Sequence, residues 1–349
     1  MLVIKGASTQ AIAAAAAAAA LSGEAVALDP SSSATALPRT LVSGTHHVVL
    51  PNGSDHQIEL IVGPAPDADM ILLFASPYDL HHRGPHLAAA CSSTPTVYAP
   101  ATFAGWAALV GAREISPLLT GVLAGFPAVG DVTEDRIQIR GMKKGLPLGG
   151  VTVESAAVLA RSLEPYLDSV VPVTAAEAEL SSSNVVLHGP LLLAHLTDLA
   201  DPEAPPQKLY RGSPVRTGSL YAEAVDLERV AIGRALGIEL ATALDLALAF
   251  YRDQGMAGTS LGEALESFPG FSSTPAPISF DHRYIEDDVI YGLAGWESLG
   301  ASLRVSTRAI TAVTETLSIA SGRDLRTMAK ALTDTFLREL PSSSQPATR

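Results

Sequence analysis

The chain has 349 residues, with 23 Lys and Arg against 36 Asp and Glu, a formal net charge of −13, and a single cysteine, Cys91. This length supplies two domains and a sizeable core, which excludes a peptide hormone, a small disulfide scaffold and a disordered tail. The acidic balance argues against a nucleic-acid partner, because neutralising phosphates needs a basic face. One cysteine offers neither an internal disulfide nor a thiolate metal site, so the cytoplasm is the expected location.

Apolar residues make up 47% of the chain, but many are alanine. No window of about 18 to 20 strongly apolar residues is present, so no membrane span is expected. The opening, Met1 to Ala27, admits two readings. A secretory leader would use its early lysine, alanine run and A-x-A-like sites. The alternative is a strand from Leu2 to Lys5, a helix from about Thr9 to Ser22 and a second strand from Ala25 to Leu28. Alanine is a strong helix former and a weak leader core, which favours the strand and helix.

Strand-like runs follow at Val48 to Leu50, Gln57 to Val62, Met70 to Phe74 and Thr96 to Ala99, with helical stretches at Gly84 to Ala90 and Gly105 to Val110. This alternation predicts an α/β domain with a mostly parallel sheet covered on both faces. Asn52-Gly53 between two strands predicts an inserted hairpin. A helix from about Val153 to Leu167 and a strand at Val170 to Val173 complete a Rossmann-like domain, 1–173. Beyond it, Ala175 to His195, Ser219 to Leu236, Ala241 to Gln254 and Ile285 to Leu317 read as helices without intervening strands. Gly237 marks a helix stop, and the Pro-rich stretch Asp201 to Pro206 reads as a loop. The reading is an all-α domain over 174–340, followed by a flexible polar tail, 341–349.

A strand, turn and helix at the N-terminus invites comparison with the dinucleotide fingerprint, whose glycines let the backbone approach a pyrophosphate at the helix N-terminus. The turn reads Gly6-Ala7-Ser8-Thr9-Gln10-Ala11. Gly6 and Ala11 fit the first and third positions, whereas Ser8 stands where the pyrophosphate comes closest. Asp29 ends the second strand, where a carboxylate would hold the ribose diol of NAD; its bland reading is a polar residue before a loop. The doublet His81-His82 reads as a solvated loop, and with His86 and Asp79, the one nearby carboxylate, it makes a poor metal site.

In the helical half, Asn184 and His188 are spaced to share one helix face. Much later comes Asp281-His282-Arg283-Tyr284-Ile285-Glu286-Asp287-Asp288. Taken singly, these are a core histidine, a surface arginine and helix-starting acids. Together they resemble the octopine and nopaline (opine) dehydrogenase family, whose helical domain carries an N-x-x-x-H segment and a later H-R-Y-x-x-E-D-V segment. The resemblance also covers Asp226-Leu-Glu-Arg-Val-Ala-Ile-Gly-Arg-Ala-Leu-Gly237 and runs on to about Leu332. Over the first domain it is an order of elements only.

The resemblance implies that His188 is the general acid/base, Asp288 its carboxylate partner, Arg283 the grip on a substrate carboxylate, and Asn184 a pocket residue. It also implies NAD or NADP as cofactor, and reductive condensation of an amine with a 2-oxo acid. The residue types suit those tasks: imidazole titrates near neutrality, a carboxylate fixes its tautomer, and a guanidinium fork matches a carboxylate. The substrate is expected in a cleft between the domains. Two departures fall on the cofactor side: Ser8, and the glycine-poor turn Pro100-Ala101-Thr102-Phe103-Ala104-Gly105. They keep open a redox-neutral enzyme that has lost NAD(P) and cyclises, dehydrates or isomerises its substrate through His188 and Asp288, or a ligand-binding relic. An exposed apolar helical face could support a homodimer, and the sequence leaves the oligomeric state open.

Overall fold

The computed structural model describes residues 1–32, 37–38, 40–65, 67–89, 91, 94–111, 116–133, 136–201, 203, 205 and 207–340. The expected tail at 341–349, the end of the helix expected to reach Ala90 and parts of the loop at 201–206 lie outside the described residues. The chain forms two compact units. One comprises Met1–Ala101 and Ala108–Glu179; the other comprises Thr102–Ala107 and the chain from Leu180 on.

The first unit is built on a sheet which, among the described residues, has eleven strands: β1 (Leu2–Lys5), β2 (Val26–Asp29), β3 (Gly44–Val49), β4 (Asp55–Val62), β5 (Met70–Phe74), β6 (Thr96–Ala99), β7 (Thr120–Leu123), β8 (Ala128–Val132), β9 (Ile137–Met142), β10 (Leu146–Gly150) and β11 (Val170–Thr174). Their order is β11-β10-β7-β6-β5-β1-β2-β4-β3-β9-β8. The central run from β7 to β4 is parallel throughout. β2 and β5 flank β1 on opposite sides, so the strand order reverses beside β1, the place where doubly wound sheets bind ligands. Antiparallel pairs lie outside this run: β10 on β7, the Asn52-Gly53 hairpin of β3 with β4, and β8 on β9. Gly53 takes φ +83° in that hairpin, a conformation open to glycine at little cost.

The alanine run is a helix, Thr9–Ser22, in which Ala11 to Ala19 are all buried. It packs against β2 and β4 on one side and β8 and β9 on the other, so this one helix is enclosed by its own sheet. Methyl side chains permit that approach: a Cβ on Gly130 of β8 would stand 3.3 Å from the Ala13 Cβ. The helix and flanking strands expected at the N-terminus therefore form, with β2 shifted by one residue to Val26–Asp29.

The sequence reading omits four strands, β7 to β10. β10 reads Leu-Pro-Leu-Gly-Gly, a pattern resembling a turn. Its glycines answer a packing need instead, because a Cβ on Gly149 would fall 2.7 Å from the Ala175 Cα. His81 and His82, expected in a loop, lie with His86 on the helix Pro77–Ala89, where the His82 ring meets Tyr78 at a tilt with centres 4.4 Å apart.

The chain beyond β11 is helical, and two helices expected as continuous are divided. Ala175 to His195 breaks at Ser181 and Ser182 into Ala175–Leu180 and Ser183–Ala194. Ile285 to Leu317 becomes a π-helix, Tyr284–Leu293, an α-helix, Ala294–Leu303, a turn with Arg304 at φ +59°, and a helix, Arg308–Ser321. The long helix Gly212–Ala235 ends before Gly237, which takes φ +75°. No described helix is long and apolar enough to cross a membrane.

Candidate active site

His188 lies in the middle of the helix Ser183–Ala194, and Asp288 lies in the π-helix Tyr284–Leu293. Two glycines let these helices meet. A Cβ on Gly189 would come 2.6 Å from Leu293 Cδ1, and one on Gly292 would come 2.7 Å from Val185 Cγ2. A side chain at either position would have to displace these apolar groups, so the elements carrying His188 and Asp288 are closely packed. The result is a hydrogen bond of 2.7 Å between His188 Nδ1 and Asp288 Oδ2, with both residues buried.

π-Helical winding also explains the position of Arg283. Its hydrogen bonds run from residue i to i−5, as from the Ala294 N–H to the Val289 carbonyl. Residues five apart lie nearer to one face in such a helix than in an α-helix, where they point in different directions. Arg283 caps the π-helix one turn before Asp288, and its guanidinium lies 4.8 Å from the Tyr284 ring centre. Asn184 is partly buried one turn before His188, so the four residues singled out in this half lie on two elements in contact.

His188 is held on three sides. Besides Asp288 at Nδ1, the Tyr210 hydroxyl lies 3.3 Å from Nε2, and the Tyr284 ring stacks on the imidazole at 3.7 Å between centres. A neutral imidazole so placed presents its Nδ1 proton to the carboxylate and a lone pair at Nε2. Burial pushes the Tyr210 phenol well above its usual range, assisted by Tyr284, Tyr251 and Asp288 and opposed by Arg283. Burial pulls Arg283 down, but Tyr284, Asp288, Asp287 and Tyr210 outweigh it and raise the guanidinium above its ordinary value. His282 is pulled down to about 4 by burial and by the positive charges of Arg283 and His188, so it is neutral at pH 7. The site thus pairs one fixed cation with an imidazole whose two nitrogens face different groups.

Tyr210 and Tyr284 escape sequence reasoning as site residues. Tyr284 lies within the matching segment and could have been found there, whereas Tyr210 precedes the helix Gly212–Ala235 in a stretch with no motif. The stretch Asp226 to Gly237, part of the resemblance, has a structural task. The buried Arg229 guanidinium donates to Asp226 Oδ1, the Leu180 carbonyl and the Ala241 carbonyl at 2.8, 2.9 and 2.6 Å. Asp226 Oδ2 accepts from the Ala243 N–H, and the Glu228 carboxylate caps the helix Arg308–Ser321 through the N–H groups of Ala309 and Ile310. Among the described residues, no cluster of three His, Cys, Asp or Glu is arranged to hold a metal.

The four residues singled out for nucleotide binding lie in the first unit, at the carboxyl ends of β1 and β2. Gly6 takes φ +147°, and a Cβ there would fall 2.8 Å from the Phe74 Cβ, so the tight turn requires glycine. Ser8 caps the helix, its Oγ accepting the Ala11 N–H at 3.1 Å. The Asp29 carboxylate is ion-paired with Lys5 Nζ at 3.1 Å and accepts the Ser31 N–H at 3.0 Å. Burial pushes the Asp29 carboxyl up, but the Ser31 bonds and Lys5 outweigh it and leave it below the usual carboxylate range. The turn therefore fits a dinucleotide in backbone shape through Gly6 and Ala11. Its Ser8 hydroxyl and Asp29 carboxylate already hold partners within the chain. Ala104, in the glycine-poor turn, adopts φ +61° despite its side chain.

Residues 173–321 match the family model described as NAD/NADP octopine/nopaline dehydrogenase, alpha-helical domain. An opine dehydrogenase of Arthrobacter sp. is 29% identical over 154 residues, 44% of this chain and 41% of that protein. Protein ocs of Agrobacterium tumefaciens is 28% identical over 145 residues, 42% and 39% of the two chains. The matched region thus spans about two fifths of each of these relatives. Among solved structures, octopine dehydrogenase with NADH and L-arginine superposes with a TM-score of 0.64 at 13% identity, covering 92% of this chain and 89% of that one. Yersinopine dehydrogenase with NADP+ gives 0.63 at 14% identity, covering 96% and 98%. These structures share the fold, a parallel-dominated sheet domain followed by a helical domain. Residues 173–321 of this chain are thus similar to the helical domain of octopine/nopaline dehydrogenases.

Proposed function

We propose that the protein is an NAD(P)-dependent dehydrogenase of the opine type, which joins an amine to a 2-oxo acid and reduces the resulting imine. The observation that carries this reading is the buried 2.7 Å contact between His188 and Asp288, with Arg283 one π-turn away. His188 would exchange a proton with the substrate at Nε2, while Asp288 holds the proton on Nδ1 and stabilises the imidazolium. Arg283, a permanent cation in partly buried surroundings, would bind the substrate carboxylate through two parallel hydrogen bonds. Asn184, one turn before His188, would offer an amide to the same substrate. A bound nicotinamide nucleotide supplies the hydride. Gly6, Ser8 and Ala11 would hold its pyrophosphate, and Asp29 its ribose. Support also comes from relatives and fold neighbours named as opine, octopine and yersinopine dehydrogenases, two of the latter holding NADH or NADP+.

A second reading is favoured by the Ser8 cap and the Lys5–Asp29 ion pair, which occupy groups that a dinucleotide would use. In it the protein performs redox-neutral proton transfer at His188. Calorimetric titration of the full chain with NADH and NADPH separates the two. Micromolar binding of either nucleotide, followed by its oxidation in mixtures of amino acid and 2-oxo acid, supports the dehydrogenase; no binding of either supports the redox-neutral enzyme. His188→Ala abolishes turnover in both, and a folded variant with full activity would remove both.

A further inference from the structure

Tyr210 is not part of any helix or sheet that carries the other site residues. It follows a short extended clip in which Lys208 pairs antiparallel with Pro275. The Leu209 N–H donates to the Thr274 carbonyl at 3.0 Å and the Ala276 N–H to the Gln207 carbonyl at 2.9 Å. The Tyr210 ring stacks on Phe271 at 4.5 Å, and Phe271 meets Tyr251 edge to face. This packing fixes a phenol whose hydroxyl points at one atom of functional interest, His188 Nε2, at 3.3 Å. With Asp288 on Nδ1 and Tyr284 stacked on the ring, Nε2 is the working nitrogen, and Tyr210 stands on it.

We propose that Tyr210 is the outer group of a proton relay, through which the proton passes between substrate and His188 Nε2. This rests on the acid/base role proposed for His188. With His188 neutral, the Tyr210 O–H donates to Nε2. Proton removal from a substrate N–H or O–H then breaks that bond and forms a new O–H on Tyr210, while the old Tyr210 proton moves to Nε2. The phenol ends unchanged, one proton has passed to imidazole, and no electrons move. In reverse, the imidazolium returns its proton to the phenol as the phenol protonates the substrate. Burial keeps the Tyr210 phenol neutral at every working pH, which a relay requires. The charged and titratable groups around it are His188, Asp288, Tyr284, Arg283 and Tyr251. Catalytic hydrogen bonds in a resting enzyme are often longer than those of the reacting complex, which agrees with 3.3 Å.

Tyr210→Phe keeps the ring and its packing on Phe271 and removes only the hydroxyl. Two measurements on the full-length variant decide the matter. The first is the nitrogen NMR spectrum of the imidazoles, which needs no turnover. The relay predicts that the His188 Nε2 resonance moves in Tyr210→Phe while its Nδ1 resonance, set by Asp288, stays; an unmoved Nε2 overturns the proposal. The second is steady-state kinetics in normal and heavy water. The relay predicts a fall in kcat of about 10²-fold with KM within a few-fold, the scale of a lost acid/base group. It also predicts that a solvent isotope dependence with two protons in flight becomes one-proton in the variant. A lower KM with unchanged kcat would show that Tyr210 only blocks Nε2 until substrate displaces it, and overturns the relay. Wild-type protein that turns over no amine and oxo-acid mixture refutes the dehydrogenase reading, and the NMR result then decides the relay alone.

Discussion

Asp288→Asn tests the candidate site most directly, because it replaces a charge with little change in shape. Asp288 Oδ2 and His188 Nδ1 are 2.7 Å apart, and both residues are buried. That spacing puts the charges of carboxylate and imidazolium about 4 Å apart, where an effective dielectric of about 20 gives about 4 kcal/mol. At 1.4 kcal/mol per factor of ten, losing this stabilisation whenever His188 carries a proton slows the reaction by about 10³-fold. The loss belongs in kcat, since Asp288 acts on the imidazole and Arg283 is the group proposed to bind substrate. The assay is the initial rate of nucleotide oxidation at saturating amine and oxo acid, with thermal melting as the control for folding. A folded Asp288→Asn protein within about ten-fold of the parent would refute the reasoning, because the pair would then be a structural contact with no part in proton transfer.

Arg283→Lys keeps the charge but removes the two-point fork, so KM for the oxo acid rises by about ten-fold or more with a smaller change in kcat; an unchanged KM removes its proposed role. Arg229→Met leaves the buried Asp226 carboxylate without its guanidinium partner and destabilises the helical unit by about 3 to 5 kcal/mol in chemical denaturation. His282 has its folded pKa lowered from 6.5 to about 4, so the unfolded chain takes up a proton that the folded one refuses. Its contribution is therefore full above about pH 6.5 and is lost as pH falls towards 4. Denaturation midpoints at pH 7 and pH 5 should differ more in the parent than in His282→Gln.

Where side-chain pattern and backbone period agreed, the fold was legible in the sequence. β1, β5 and β6 occur at the expected residues because each is a short apolar run between turns, and the Asn52-Gly53 hairpin follows from the backbone that its glycine permits. β7 to β10 were hidden because their glycines and proline, which resemble turn residues locally, serve contacts with distant segments such as that of Gly149 with Ala175. The same holds at the site. Asn184 and His188 share a face by ordinary helical spacing, but the relation of Arg283 to Asp288 depends on a π-helix that no α-helical periodicity reveals. Tyr210 was out of reach for another reason: its nearness to His188 comes from a clip closed by residues some 65 positions later in the chain, Lys208 with Pro275.

The enclosed alanine helix leads to an expectation about length variation. From Ala13 to Ala20 every side chain is the same, so sliding the helix by one residue would exchange one methyl group for another and leave its interior composition unaltered. Identity along the run cannot set its register. That information is concentrated at the ends, in the Ser8 cap and in Gly23, whose N–H closes on the Ala19 carbonyl at φ +69°, with Ile12 and Leu21 as the large apolar side chains on either side of the run. Adding or deleting a single alanine turns one end against the other by about 100°. Such a change alters almost nothing in composition, yet it aims either the Gly6–Ser8 turn or the entry to β2 in a new direction. A single-alanine deletion should therefore be far more damaging than replacing any one of these alanines with glycine, which costs about 1 kcal/mol in a helix interior.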